Sequence, residues 1–119
     1  MPTELFQIVV VEDAKVVELS LPASLDSGEF DRINEALLEH VTREPHAQWV
    51  LDLSNLSYMG SAALGLLVNV RQQVKAGDGK LVLCGLSPRL QQIFRTCCME
   101  RLFVIKATRS DALRAIGIK

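Results

Sequence analysis

Clusters of positive charge are missing from this chain. Its 13 Lys and Arg stand against 14 Asp and Glu, for a formal net charge of −1, and no basic run occurs anywhere. That excludes the dense cationic array that nucleic-acid phosphates demand. Aromatics are scarce, at 5%, so there is no stacking platform for RNA bases and the core must be aliphatic. No apolar stretch approaches the roughly 20 residues needed to cross a bilayer. The start, Met1-Pro2-Thr3-Glu4, lacks the basic and apolar segments of a signal peptide. Direct membrane insertion is therefore not expected, and the expected location is the cytoplasm. Three cysteines, Cys84, Cys97 and Cys98, form no disulfide framework, and no CxxC or ligand-spaced His accompanies them. They are expected as small core hydrophobes, with the vicinal pair a candidate for redox sensitivity.

What is present is an abundance of aliphatic residues in short, regular segments. Hydrophobic residues make up 49% of 119 positions, enough for one compact domain spanning 1–119. Leu5 to Val11 and Lys15 to Leu21 read as two strands joined by a turn at Glu12-Asp13, with Pro22 ending the second. Leu25-Asp26-Ser27-Gly28 is a turn leading into a helix, in which Phe30, Ile33, Leu37 and Val41 form one apolar face. Trp49 to Leu53 reads as a buried strand. The second helix is expected from Ser61 to about Ala76, ending at Gly77-Asp78-Gly79. On it Ala63, Leu66, Leu67, Val70 and Val74 share a stripe facing the sheet. Leu64 and Val68 sit on its flank, and Ala62 and Gly65 on the opposite arc. Lys80 to Cys84 is another strand. Ser87-Pro88 opens a third helix, with Ser as N-cap and Pro at the first position; its apolar set is Leu90, Ile93, Phe94 and Cys97. Leu102 to Ile105 is a last short strand, and Thr108 or Ser110 caps a final helix carrying Ala112, Leu113 and Ile116.

The order is β-β-α-β-α-β-α-β-α, an α/β fold with a mixed sheet of four to five strands and four helices. Alternation from Trp49 onward predicts parallel strands joined by right-handed crossovers.

Few residues suit catalysis. His40 falls in the last turn of the first helix and His46 in the loop after it, and neither has a partner at metal spacing. Met59-Gly60-Ser61-Ala62-Ala63 lacks the second glycine of a nucleophile elbow. Gly77-Asp78-Gly79 is a turn, with no phosphate-binding signature. No catalytic residue, metal site or cofactor is expected. A small hydrolase or thiol enzyme is the remote alternative.

Ser61 is different, because it lies where a strand hands over to a helix. Read as an N-cap, its side chain would accept from the amide of Ala63 or Leu64. Read as a modification site, it lies at a point where amide donors and the helix dipole favour an anion. A phosphate there would add close to two negative charges, and a docked partner would feel repulsion. Beside it, Ala62 and Gly65 are small enough for a second backbone to approach, unless the chain's own third helix fills that place.

The element order and the stretch Leu51-Asp52-Leu53-Ser54-Asn55-Leu56-Ser57-Tyr58-Met59-Gly60-Ser61-Ala62-Ala63-Leu64-Gly65 resemble the STAS domain, in particular the bacterial anti-sigma factor antagonists. Asp52-Leu53-Ser54 matches the first part of that family's hallmark, Tyr58-Met59 its apolar link, and Leu64-Gly65 its end. The family's acidic residue, second hydroxyl and glycine are replaced by Gly60, Ala62 and Ala63. The resemblance implies partner switching. An unphosphorylated antagonist binds an anti-sigma factor of the serine-kinase type, phosphorylation of the hallmark serine breaks the complex, and a serine phosphatase resets it. By position Ser61 is the phosphoacceptor. The implied docking surface comprises Ser57, Tyr58, Met59, Gly60, Ala62, Leu64, Gly65 and Val68. A STAS interaction subunit that is never phosphorylated, in a signalling scaffold or a lipid-transport complex, is the alternative. Homodimerisation through the sheet edge is left open.

Overall fold

The computed structural model describes residues 6–11, 14–20, 27–56 and 59–117. The expected turn at Glu12-Asp13, Pro22, the turn at Leu25-Asp26, and Ser57-Tyr58 lie outside the described residues. Among the described residues ten elements follow one another: β1 (Phe6–Val11), β2 (Ala14–Leu19), α1 (Ser27–Arg43), β3 (Gln48–Asp52), α2 (Ser61–Ala76), β4 (Lys80–Cys84), α3 (Pro88–Thr96), a 3₁₀ turn η1 (Met99–Arg101), β5 (Val104–Lys106) and α4 (Arg109–Ala115).

The strands lie in chain order, β1-β2-β3-β4-β5. The first pair is antiparallel, and β2 to β5 run parallel. This monotonic order explains the layering. Each right-handed crossover advances the sheet by one strand in the same direction, so α1, α2 and α3 all fall on one face. In β2 to β5 the odd-numbered residues, among them Val17, Trp49, Leu51 and Leu83, point into that layer, where they meet Leu37, Leu67 and Phe94. Their even-numbered residues point the other way, and in β1 the parity is reversed, with Ile8 on the helix side and Val9 and Val11 on the other. There Val16, Val50 and Val82 form a cross-strand row beneath Ala112 and Ile116 of α4.

Helix limits follow local chemistry. α3 begins where Ser87 Oγ accepts from the Leu90 amide, with Pro88 at the first position, and α4 begins where Thr108 Oγ1 accepts from the Asp111 amide. Ile33, Leu37 and Val41 of α1 are buried as their spacing predicts, as are Leu66, Leu67, Val70 and Val74 of α2. The cysteines depart from expectation. Cys84 is a core residue, but Cys97 and Cys98 are exposed. Helix α3 stops at Thr96, and the chain turns through a left-handed Cys98 (φ 58°) into η1, which carries both thiols away from the core.

Candidate functional site

The site is built at the carboxyl ends of the parallel strands, where β3 gives way to α2. Three apolar anchors hold the intervening loop down: Leu53, Leu56 and Met59 are all buried. The backbone adds two ties, with the Leu53 amide donating to the Cys84 carbonyl at 2.9 Å and the Leu56 amide to the Leu53 carbonyl at 3.0 Å. Asp52 closes the turn. Its Oδ1 accepts from the Ser54 amide at 2.9 Å and from the Ser54 hydroxyl at 2.6 Å. The Asp-Leu-Ser triplet is thus a structural latch that fixes how the chain leaves the sheet.

A cation from the far end of the chain completes the latch. Arg109, in the first turn of α4, donates from Nη2 and Nε to Asp52 Oδ2 at 2.7 and 3.1 Å, and its Nη2 also pairs with Glu18. Glu18 and Asp52 are register partners on β2 and β3, so the guanidinium bridges two carboxylates on adjacent strands. Burial pushes the Asp52 carboxyl up, but the Ser54 hydroxyl and amide and then Arg109 outweigh it, leaving the group below its ordinary value. Hydrogen bonding to Glu18 and Asp52 raises Arg109 in turn. Cys84, beside Asp52 on β4, has its thiol pushed up to about 12 by burial and by the Asp52 charge. Gly85 follows with φ +75°, and a Cβ there would lie 2.9 Å from Asp52 Oδ1.

Sequence reasoning missed Arg109, Glu18 and Gly85. One signal pointed to the arginine. A cation in the first turn of a helix opposes the dipole, and such a placement calls for a carboxylate nearby.

The start of α2 corrects the expected cap. Gly60, not Ser61, is the N-cap, with φ −86° and ψ −178°. Its carbonyl accepts from the Leu64 amide at 3.1 Å, which makes Ser61 the first helical residue. No side chain caps this end, because the capping position carries a glycine. Gly60 sits in extended backbone that any residue adopts, so the conformational freedom of glycine is not used here.

Around this end the expected docking residues divide into two groups. Ala62 and Gly65 are exposed, and a Cβ on Gly65 would meet nothing within 4 Å. Leu64 is buried and Val68 half-buried, both packed with the core. Between α2 and α3 runs a shallow, mostly apolar groove of about 330 Å³, with Met59, Gly60 and Leu64 on one side and Ile93, Thr96 and Cys97 on the other. The chain's own third helix therefore stands opposite Leu64, while Ala62 and Gly65 face outward. His40 lies in the last turn of α1 and His46 in the following loop with φ 69°. Among the described residues, no group of three His, Cys, Asp or Glu is arranged to hold a metal ion. No helix among them is long and apolar enough to cross a membrane.

A mixed sheet, parallel from β2 to β5, with three crossover helices on one face and a latched loop leading into α2, defines a class. Residues 7–112 match the STAS domain family, and the chain belongs to it. It is 29% identical over 108 residues to BtrV of Bordetella bronchiseptica, covering 91% of this chain and 78% of that protein. It is 28% identical over 99 residues to the anti-sigma-B factor antagonist of Listeria monocytogenes, covering 83% and 86%. Among solved structures, an anti-sigma-factor antagonist (STAS) domain protein from Planctomyces limnophilus superposes with a TM-score of 0.80 at 21% identity, over 94% of this chain and 97% of that one.

Proposed function

We propose that this chain is an anti-sigma factor antagonist: a non-catalytic binding module that captures an anti-sigma factor of the serine-kinase type and is released when Ser61 is phosphorylated. The observation that carries this reading is the place of Ser61, first residue of a 16-residue helix whose N-terminal amides have no side-chain cap. A phosphate at that position meets backbone donors and the positive end of a dipole, so the domain can carry the charge without unfolding. A partner resting on the same spot meets that charge directly. The docking surface consists of the loop 57–60, the outward-facing Ala62 and Gly65, and the groove floored by Met59 and Leu64. Val68 supports it from behind. A serine phosphatase restores the binding-competent form. The module acts in the cytoplasm as a single domain.

The test is incubation with the cognate kinase and ATP, read by intact mass. One phosphate, absent from Ser61→Ala, is the expected result, together with loss of the kinase complex for Ser61→Asp. A stable complex that never yields phosphoprotein favours the second reading, a STAS scaffold subunit. Gly60, Ala62 and Ala63, which replace the family's acidic, hydroxyl and glycine positions, speak for that alternative.

A further inference from the structure

The charges of this chain are sorted along the sheet. Residues 1–79 carry 12 acidic and 5 basic side chains, whereas residues 80–119 carry 8 basic and 2 acidic. The near-zero total hides a balance of −7 in one part and +6 in the other. The strands lie in chain order, and although Arg109 of this positive part reaches back to Glu18 and Asp52, other basic residues stand at the β5 end. Arg95, Arg101 and Lys106 are exposed there. Of the two acidic residues, Asp111 is paired with Arg114 at 2.6 Å, which leaves Glu100 as the opposing charge.

The same end has an open strand edge. β5 pairs with β4 on one side, and it closes the strand order on the other. Three large hydrophobic side chains are exposed among the described residues, and two of them, Leu102 and Val104, lie here. Next to the edge is a groove of about 460 Å³ whose lining includes Phe94, Phe103 and Ile105, with Arg95 and Glu100 among its polar residues.

We propose that this edge is a docking surface for an extended segment of a partner protein that alternates apolar and acidic residues and adds to β5 as a sixth strand. The backbone edge supplies the hydrogen bonds, and the alternation of a strand supplies the selectivity. Side chains on the Ile105 side of an added strand fall over the Phe94–Phe103 groove. Those on the Val104 side fall beside Lys106 on the α4 face. A second copy pairing β5 to β5 is disfavoured, because it brings two sets of Lys106 and Arg101 together, and lysine on an edge discourages self-pairing. The surface is separate from Ser61, and the proposal stands whether or not that serine is modified.

The experiment is an amide NMR titration of the full isotope-labelled chain with a seven-residue peptide alternating valine and glutamate, and separately with its valine–lysine counterpart. Saturable shifts centred on 102–106 with the glutamate peptide, fading with added salt, are expected. The double variant Arg101→Glu/Lys106→Glu, at two exposed positions, should weaken that binding by about tenfold with its unperturbed spectrum intact. Equal binding of the lysine peptide, shifts centred elsewhere, or no saturable shift overturns the proposal. So do concentration-dependent shifts at 102–106 without any peptide, which would assign the edge to a second copy. Phosphorylation of Ser61 is read by mass in a separate assay, so either idea can fail alone.

Discussion

Arg109→Met probes the latch that joins α4 to the loop bearing Ser61. Methionine keeps much of the arginine stem's packing and removes the charge. Asp52, whose side chain is 9% exposed, then retains the Ser54 donors alone, and Glu18 faces it across the β2–β3 register with no cation between them. Breaking a buried pair from one side costs about 3–5 kcal/mol, whereas an exposed pair is worth roughly 0.2–1 kcal/mol. Arg109 is 34% exposed, so solvent screens part of its field, and the expected loss near neutral pH is about 1–2 kcal/mol. For a chain of this size that lowers Tm by roughly 4–8 °C. The pH dependence gives a second check. The Asp52 carboxyl titrates below its ordinary 3.8 in the folded chain. A depressed carboxylate contributes its stability above the unfolded-state value and loses it as pH falls through the folded-state value. The gap between wild type and variant should therefore be full at neutral pH and narrow below about 3.8. Urea unfolding across that range measures it. A gap below about 0.5 kcal/mol at neutral pH, or one that persists unchanged in acid, refutes the reasoning.

Three further outcomes are expected. Gly85→Ala combines a left-handed backbone with a Cβ 2.9 Å from Asp52 Oδ1 and 3.0 Å from Ser54 Cβ; thermal unfolding should report a loss of about 2–4 kcal/mol. An aromatic disulfide reagent should titrate Cys97 and Cys98 in the folded chain and reach Cys84, buried and with its thiol near 12, only after denaturation. Three fast thiols would contradict the fold described for β4. Ser87→Ala removes the acceptor for the Leu90 amide and should cost about 1 kcal/mol in chemical denaturation.

Where hydrophobic spacing alone decides, the sequence could be read closely. The limits of α2 and β4 coincide with those expected, and the Ser87-Pro88 start of α3 is local chemistry that leaves a clear trace. The crossover rule then turns element order into the parallel sheet. The latch was out of reach for the opposite reason. Arg109 and Asp52 stand 57 residues apart, and Arg109 and Glu18 stand 91 apart. No periodicity links residues whose meeting depends on register and on which face α4 covers. The cap at Gly60 was missed because a serine beside a glycine favours the serine by side-chain chemistry, while backbone geometry assigned the role to its neighbour. Cys97 followed the helix period in sequence, but the helix ended at Thr96, before it could share the buried face.

Strand order carries a consequence for how this chain is made. Because each strand neighbours the one before it, the sheet can grow by addition at one edge, and no finished pair has to part to admit a later arrival. Contacts stay local for a parallel sheet, a condition that favours fast closure and folding during synthesis. Helix α4 breaks the sequence: Ala112 and Ile116 pack back on Val16 and Val50, and Arg109 reaches Glu18 and Asp52. The loop that presents Ser61 therefore acquires its last restraint only once α4 has emerged.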